Sequence, residues 1–316
     1  MKKILFGYNF LHEGFSDLEG DFELVYPEKE YFRKEEVLKW IDEFDVLVPS
    51  FKFETDKELI DRGRNLKLIA NFGAGYNNID VEYATQKGIV ITNTPNSVLE
   101  PTAELCFGIL LATARRIPFY DRHLRTTEGL AWGLYDNPGV GIYGKILGIY
   151  GMGRIGQAVA RRAVASGMKI IYHNRKPLSK DIEEKYDAHY VSFDELLSLS
   201  DFISLNAPAT PDTFHLISEP EIAKMKPTAI LINTSRGSLV DEVALINALK
   251  HKEILAAGLD VYENEPRINP VLKALENVVL TPHAGTQTIE GRIDMQREVA
   301  QNILGFFNGG NISRIN

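Results

Sequence analysis

Short, unbroken apolar runs alternate with helical stretches along most of this chain. The runs Ile4–Gly7, Leu24–Tyr26, Val46–Val48, Leu68–Asn71 and Val90–Thr92 are separated by stretches such as Lys34–Phe44 and Lys57–Gly63. Continuous Ile/Val/Leu runs, rather than alternation, mark strands buried on both faces, and intervening helices supply the crossovers of a parallel sheet. A turn cluster at Asn93-Thr94-Pro95-Asn96-Ser97 closes this series. A helical stretch over about 101–116 follows, with Pro101 at its expected first position, where the missing N–H costs nothing. A second series then runs through Ile146–Tyr150, Lys169–His173, Phe202–Leu205, Ala229–Asn233, Leu255–Leu259 and Val278–Leu280. The chain ends in a helical stretch, 288–307, with no strand of its own to cover, so it is expected to pack back on the first series. Two βα series in 316 residues predict two α/β domains.

The second series opens with a specific turn. Lys145–Tyr150 runs into Gly151-Met152-Gly153-Arg154-Ile155-Gly156 and then a helix, 157–163. In strand, G-x-G-x-x-G, helix, Gly151 permits the tight turn, Gly153 lets a pyrophosphate approach the backbone, and Gly156 lets helix and strand pack closely. The helix N-terminus, at Arg154 and Ile155, supplies N–H groups and partial positive charge for phosphates. The next strand ends at position 174, 174 − 156 = 18 residues beyond the last glycine, where a carboxylate would pair with an NAD ribose. Asn174 stands there, followed by Arg175 and Lys176. Two cations and no carboxylate favour a 2′-phosphate, so NADP is expected over NAD, although Asn also bonds a 2′-OH.

Charge narrows the partners. Lys and Arg number 35 against 43 Asp and Glu, a net charge of −8. Such a chain is a poor non-specific binder of nucleic acid or membrane. Cys106 is the one cysteine, so neither an intrachain disulfide nor a cysteine metal cluster is expected. The apolar stretch 103–114 is too short for a bilayer, which needs about 20 residues. Lys2-Lys3-Ile4-Leu5-Phe6 reads as a buried strand rather than a signal peptide, and the expectation is a cytoplasmic protein.

Further stretches carry a resemblance. They are Gly73-Ala74-Gly75-Tyr76-Asn77-Asn78-Ile79-Asp80, Asn93-Thr94-Pro95 with Thr102-Ala103-Glu104, the run 233–241, the run 258–266, and Thr281-Pro282-His283-Ala284-Gly285. With the glycine loop, and in this order, they make the chain similar to the D-isomer-specific 2-hydroxyacid dehydrogenases. The wording around 93–118 and 172–176 is most like glyoxylate/hydroxypyruvate and 2-ketogluconate reductases. The resemblance implies a discontinuous flavodoxin-like substrate domain, 1–99 plus 286–316, and an NAD(P)-binding Rossmann domain, 100–285. It implies Arg236, Glu265 and His283 as the catalytic set, with backbone N–H groups of Ala74 and Gly75 on the substrate carboxylate. Asp260 near the nicotinamide, Ala207, Pro208 and Thr213 along the adenine, and Thr234 are the further cofactor contacts implied. Asn206 stands where the family usually has His or Cys. The other histidines, His12, His123, His173, His189, His215 and His251, read as structural or exposed. The family needs no metal, and it implies a homodimer, for which the apolar stretch 101–132 supplies Leu105, Phe107, Ile109, Leu110 and Leu111.

The chemistry can be argued from the residue types. Reduction of a 2-oxo acid needs a carboxylate anchor, a hydride donor and a proton for the new alkoxide. An Arg fork holds carboxylate and ketone oxygens in one plane and polarises the carbonyl. A His gives the proton near neutral pH, and a Glu beside it favours imidazolium and fixes the ring. Related folds also serve as non-enzymatic, dinucleotide-sensing regulators, and the intact Arg–Glu–His set favours an enzyme. A phosphoglycerate dehydrogenase would want further cations, for which Lys52, Arg64 and Lys67 are the candidates.

Overall fold

The computed structural model describes residues 1–50, 53–126, 129–130 and 133–316. Lys52 and Trp132, each part of a sequence reading above, lie outside the described residues. The chain divides into two compact units, Met1–Pro101 with Thr286–Asn316, and Thr102–Gly285.

The first unit is built on strands β1 (Lys2–Phe6), β2 (Phe22–Val25), β3 (Val46–Val48), β4 (Leu68–Ala70) and β5 (Val90–Thr92). They form one parallel sheet in the order β2-β1-β3-β4-β5, a doubly wound arrangement. Both faces are covered, as the apolar runs require. Leu5, Leu47, Ile69 and Ile91 pack on one side with Val37, Ile41 and Leu59. Ile4, Phe6, Val48 and Leu68 pack on the other with Met295, Val299 and Ile303 of the terminal helix, Ile289–Asn308. That helix starts where Thr288 Oγ1 accepts the Gly291 N–H, and stops at Gly309 with a φ of 74°. Its buried Glu298 accepts the Asn96 and Ser97 N–H groups and the Ser97 hydroxyl, tying it to the segment after β5.

The second unit carries β6 (Ile146–Tyr150), β7 (Lys169–His173), β8 (Ala188–Tyr190), β9 (Phe202–Leu205), β10 (Ile230–Asn233), β11 (Ala256–Leu259) and β12 (Val278–Leu280). Its parallel sheet runs β12-β11-β10-β9-β6-β7-β8. The strand order reverses between β6 and β9, the position at which such sheets open a crevice at the carboxyl ends of their strands.

Three local differences from the sequence reading have physical causes. The expected helix over 34–44 is instead a short helix, Lys34–Val37, and a 3-10 turn, Ile41–Glu43, because Trp40 at φ −143° turns edge-on to Phe32. Val37, Ile41 and Phe44 are still buried at helical spacing, so the period was real although the helix is interrupted. The helix expected from Pro101 begins at Leu99. Pro101 is therefore its third residue, still in the turn whose N–H groups lack partners. Strand β8 was not foreseen, since a three-residue edge strand has no apolar run to announce it. Among the described residues, no helix is long and apolar enough to cross a membrane.

Candidate active site

Most of the singled-out residues follow a strand's carboxyl end. In the second unit, β6 leads into the glycine loop. Gly151 has a φ of 88°, and a Cβ there would stand 2.9 Å from the Asn206 carbonyl and the Ala207 nitrogen. A Cβ on Gly156 would stand 2.6 Å from the Gly151 oxygen. A Cβ on Gly153 would meet nothing within 4 Å. Two glycines are thus required by the protein's own packing, and the third faces open space. Gly153 is also the N-cap of the helix Arg154–Ala165 and offers no side chain to its N–H groups. An uncapped helix start behind a glycine turn is a cradle for phosphate, so the residues present fit a dinucleotide.

After β7, Asn174 Oδ1 accepts the Met152 N–H at 2.7 Å, so this residue holds the glycine loop from the neighbouring strand. Its amide nitrogen remains as a donor. Arg175 and Lys176 are exposed and make no ion pair or hydrogen bond among the described residues. After β9, Ala207 is buried and Pro208 exposed. Thr213 donates its hydroxyl to the Pro208 carbonyl at 2.8 Å and accepts the Thr210 N–H, so it closes its own loop. Asn206 donates to Ser204 Oγ, while its own Oδ1 is buried without a partner among the described residues. Thr234 is buried with its hydroxyl beside the Cys106 thiol, whose pKa burial pushes up.

Three loops bring the Arg, Glu and His together. Arg236 follows β10, where buried Asn233 donates to the Arg236 carbonyl and accepts the Ser235 N–H and hydroxyl. Gly237 lies so close to the backbone of Tyr262 that a Cβ would fall 1.9 Å from it. Any other residue would push Arg236 away from the Glu265 loop. Burial lowers the Arg236 pKa from its ordinary value, against the opposing charge of Glu265. Glu265 Oε1 accepts the Tyr262 N–H at 3.0 Å, and Oε2 stands 2.7 Å from His283 Nδ1. Burial alone would raise the Glu265 pKa. The hydrogen bond and charge of His283, the Tyr262 N–H and the Arg236 charge outweigh it, and hold this carboxyl below its usual value.

His283 itself adopts a φ of 54°, a backbone conformation that non-glycine residues rarely adopt. Asp260 holds it there. Its buried carboxylate accepts from Thr281 Oγ1 at 2.5 Å, Ala284 N at 2.7 Å and Gly285 N at 2.9 Å, while its carbonyl accepts the His283 N–H. Asp260 is thus the anchor of the His283 loop. The resemblance offered it as a cofactor contact and missed this work. Another missed pair is His215 Nε2 with Glu263 Oε1 at 2.7 Å, two residues before Glu265.

In the first unit, Ala74 and Gly75 follow β4. The carbonyls around them are pinned. Asn71 Nδ2 donates to Gly73 O at 3.1 Å and Gly75 O at 2.9 Å, and Asn93 Nδ2 donates to Ala74 O at 2.8 Å. Asn302 of the terminal helix in turn donates to the Asn93 carbonyl. The N–H groups of Ala74 and Gly75 make no hydrogen bond to any described residue. Lys67, a candidate phosphate ligand above, is paired with Asp45 at 2.8 Å.

A sequence signal for much of this scaffolding was present. Asn71, Asn93, Asn174, Asn206 and Asn233 end or directly follow apolar strands. A carboxamide both donates and accepts, so it can pair backbone groups that the sheet no longer pairs.

Comparison with known proteins agrees with this geometry. Residues 107–285 match the family described as D-isomer specific 2-hydroxyacid dehydrogenase, NAD binding domain. A glyoxylate reductase of Thermococcus litoralis is 49% identical over 279 residues, covering 86% of this chain and 83% of that protein. The crystal structure of a glyoxylate reductase from Paecilomyes thermophila superposes with a TM-score of 0.89 at 36% identity, over 99% of this chain and 98% of that one. An NADPH-dependent glyoxylate/hydroxypyruvate reductase from Sinorhizobium meliloti, in complex with NADP and malonate, superposes with a TM-score of 0.88 at 31% identity, over 99% and 96% of the chains.

Proposed function

The chain belongs to the D-isomer specific 2-hydroxyacid dehydrogenase family and is an NAD(P)-dependent oxidoreductase acting between 2-oxo and D-2-hydroxy acids, and on that premise we propose that it reduces glyoxylate and hydroxypyruvate with NADPH as the preferred cofactor. The observation that carries the reading is the Arg236, Glu265 and His283 arrangement, with the 2.7 Å contact between Glu265 and His283.

A bound reduced nicotinamide supplies the hydride. We assign the dinucleotide phosphates to the uncapped start of the helix behind Gly153, at Arg154 and Ile155, and the 2′-phosphate to Arg175, Lys176 and the Asn174 amide. Ala207, Pro208 and Thr213 are assigned to the adenine side, and Thr234 and Asp260 to the nicotinamide side through their backbone.

The chain's own residues do the rest. In the first unit the Ala74 and Gly75 N–H groups are assigned to a substrate carboxylate, and in the second the Arg236 fork is assigned to polarise the ketone. With Nδ1 turned to Glu265, His283 is assigned to give the proton to the forming alkoxide from Nε2. The ionised Glu265 stabilises the imidazolium before transfer and fixes the ring plane. In the oxidative direction the neutral ring takes the proton back.

The same reading makes the protein a cytoplasmic homodimer. Leu134, Tyr135 and Tyr143 are 88%, 84% and 86% exposed. The same unit carries an open groove of about 640 Å³, lined by Pro118, Phe119, Val140, Leu249 and Leu255 together with Arg116, Arg122, Lys250 and Lys252. Exposed apolar side chains and a groove of mixed apolar and charged lining suit a second copy of the chain. Sedimentation at micromolar concentration should show a species of twice 35.5 kDa.

Turnover of NADPH with glyoxylate, hydroxypyruvate and pyruvate tests the activity. The wild type should reduce the first two, and His283→Ala should lose on the order of 10²–10⁴-fold in rate with cofactor affinity kept. A His283→Ala enzyme of near wild-type rate would remove the proton donor from this account.

A further inference from the structure

One guanidinium of the first unit has no hydrogen-bond or ion-pair partner among the described residues. Arg292 lies in the opening turn of the terminal helix, where its backbone N–H bonds to the Thr288 carbonyl. Its side chain is half-buried and stands over the Phe72 ring, 5.8 Å from the centroid. No carboxylate, carbonyl or hydroxyl among the described residues takes a hydrogen bond or ion pair from it. The ionisable group nearest in effect is Tyr8. Its hydroxyl donates to Glu30 at 2.9 Å, and burial followed by that bond raises its pKa, so it stays neutral. On the same helix, Asp294 is paired with Arg297. Burial lowers the Arg292 pKa, yet a guanidinium remains charged at any working pH.

A half-buried guanidinium whose five donors find no hydrogen-bond partner among the described residues is open to an oxygen-bearing ligand. Its platform says which ligand. Phe72 is two residues before Ala74, on the loop whose Ala74 and Gly75 N–H groups are also unspent. A 2-oxo acid held by its carboxylate on those N–H groups lies against the same loop as the ring that carries Arg292.

We propose that Arg292 is a specificity-determining residue that receives the oxygen-bearing substituent on C3 of a 2-oxo acid, selecting hydroxymethyl-type over methyl-type substrates. This rests on the activity proposed above. A hydroxyl there accepts from the fork, whereas a methyl group leaves the fork unpaired and adds no contact that offsets its desolvation.

Hydroxypyruvate and pyruvate differ by that one hydroxyl, so the ratio of their kcat/KM values isolates the effect. In the wild type the ratio should favour hydroxypyruvate by about tenfold or more. In Arg292→Met it should fall by about tenfold, and Arg292→Lys should restore part of it. If Arg292→Met does not fold, Arg292→Gln carries the same comparison. A purely structural Arg292 would lower both substrates together and leave the ratio within twofold, which overturns the proposal while the activity stands. A wild type that reduces none of glyoxylate, pyruvate and hydroxypyruvate overturns the activity reading and this inference with it.

Discussion

Two loops in this protein are shaped to receive an anion, and they are held open by opposite means. At Gly151–Gly156 the shape comes from side chains that are missing. A Cβ on Gly151 or Gly156 would collide with backbone within 3 Å, and the helix behind adds its uncapped start. At Gly73–Gly75 the shape comes from side chains that are present. Asn71 and Asn93 occupy the carbonyls of Gly73, Ala74 and Gly75, and the N–H groups of Ala74 and Gly75 have no partner among the described residues. The first device suits a large, multiply charged phosphate group, because a helix end adds partial charge. The second suits a single small carboxylate. The two should therefore fail differently.

The largest effect is expected at the glycines. Gly151→Ala meets both a positive φ and a backbone collision, and should destabilise the fold by roughly 2–4 kcal/mol. Thermal melts and fluorescence titration with NADPH should show a lower Tm and weak binding together. Gly153→Ala collides with nothing in the protein. It should keep the wild-type Tm and lose only dinucleotide affinity. A normal melt and normal NADPH affinity for Gly153→Ala would break the assignment of that glycine to the ligand.

A smaller, different loss is expected in the other loop. Asn71→Leu takes the donor from the Gly75 carbonyl, while the Gly73 carbonyl keeps the Thr94 N–H, at about 1–3 kcal/mol of stability. It should raise KM for the oxo acid while the NADPH dissociation constant stays put, as steady-state kinetics and titration can separate. If NADPH affinity moves and KM does not, the division of labour between the loops is wrong.

How far these loops were legible in the sequence follows from the same contrast. The glycine loop announces itself, because strand, spaced glycines and helix are contiguous. The Gly73–Gly75 loop does not. Its pins are remote in sequence: Asn93 is 19 residues from Ala74, and Asn302 another 209 from Asn93. Only the family resemblance pointed to Ala74 and Gly75. Parallel strands were legible throughout, since two-sided burial writes itself as unbroken apolar runs. The edge strand β8 was not. Nor was the anchoring work of Asp260, whose partners lie 21 to 25 residues away. Arg236, Glu265 and His283 were named from their motifs. That Gly237 seats the Arg236 loop against the Glu265 loop is a tertiary fact with no local signature.

The smallest of these effects belongs to Arg175. It is exposed, so its pairing with a 2′-phosphate is screened by solvent. Arg175→Ala should cut the NADPH:NADH ratio of kcat/KM by about tenfold, within the range of a charge-assisted contact. A wild type that prefers NADH would reverse the cofactor reading.

The central claim is the Glu265–His283 proton relay, and its most direct test is the pH dependence of kcat/KM for glyoxylate reduction in wild type and Glu265→Gln. The wild-type carboxyl is held below its usual value by His283, the Tyr262 N–H and Arg236 despite its burial, so it is ionised across the neutral range. That charge pairs with the ring from which reduction draws its proton, so kcat/KM for reduction should fall at the acid end, below the usual carboxylate range, where Glu265 takes up a proton of its own. Glu265→Gln removes the charge and keeps the size. Its reduction should be slower and should lack that acid-end fall. A Glu265→Gln enzyme whose rate and pH profile coincide with those of the wild type would contradict the account.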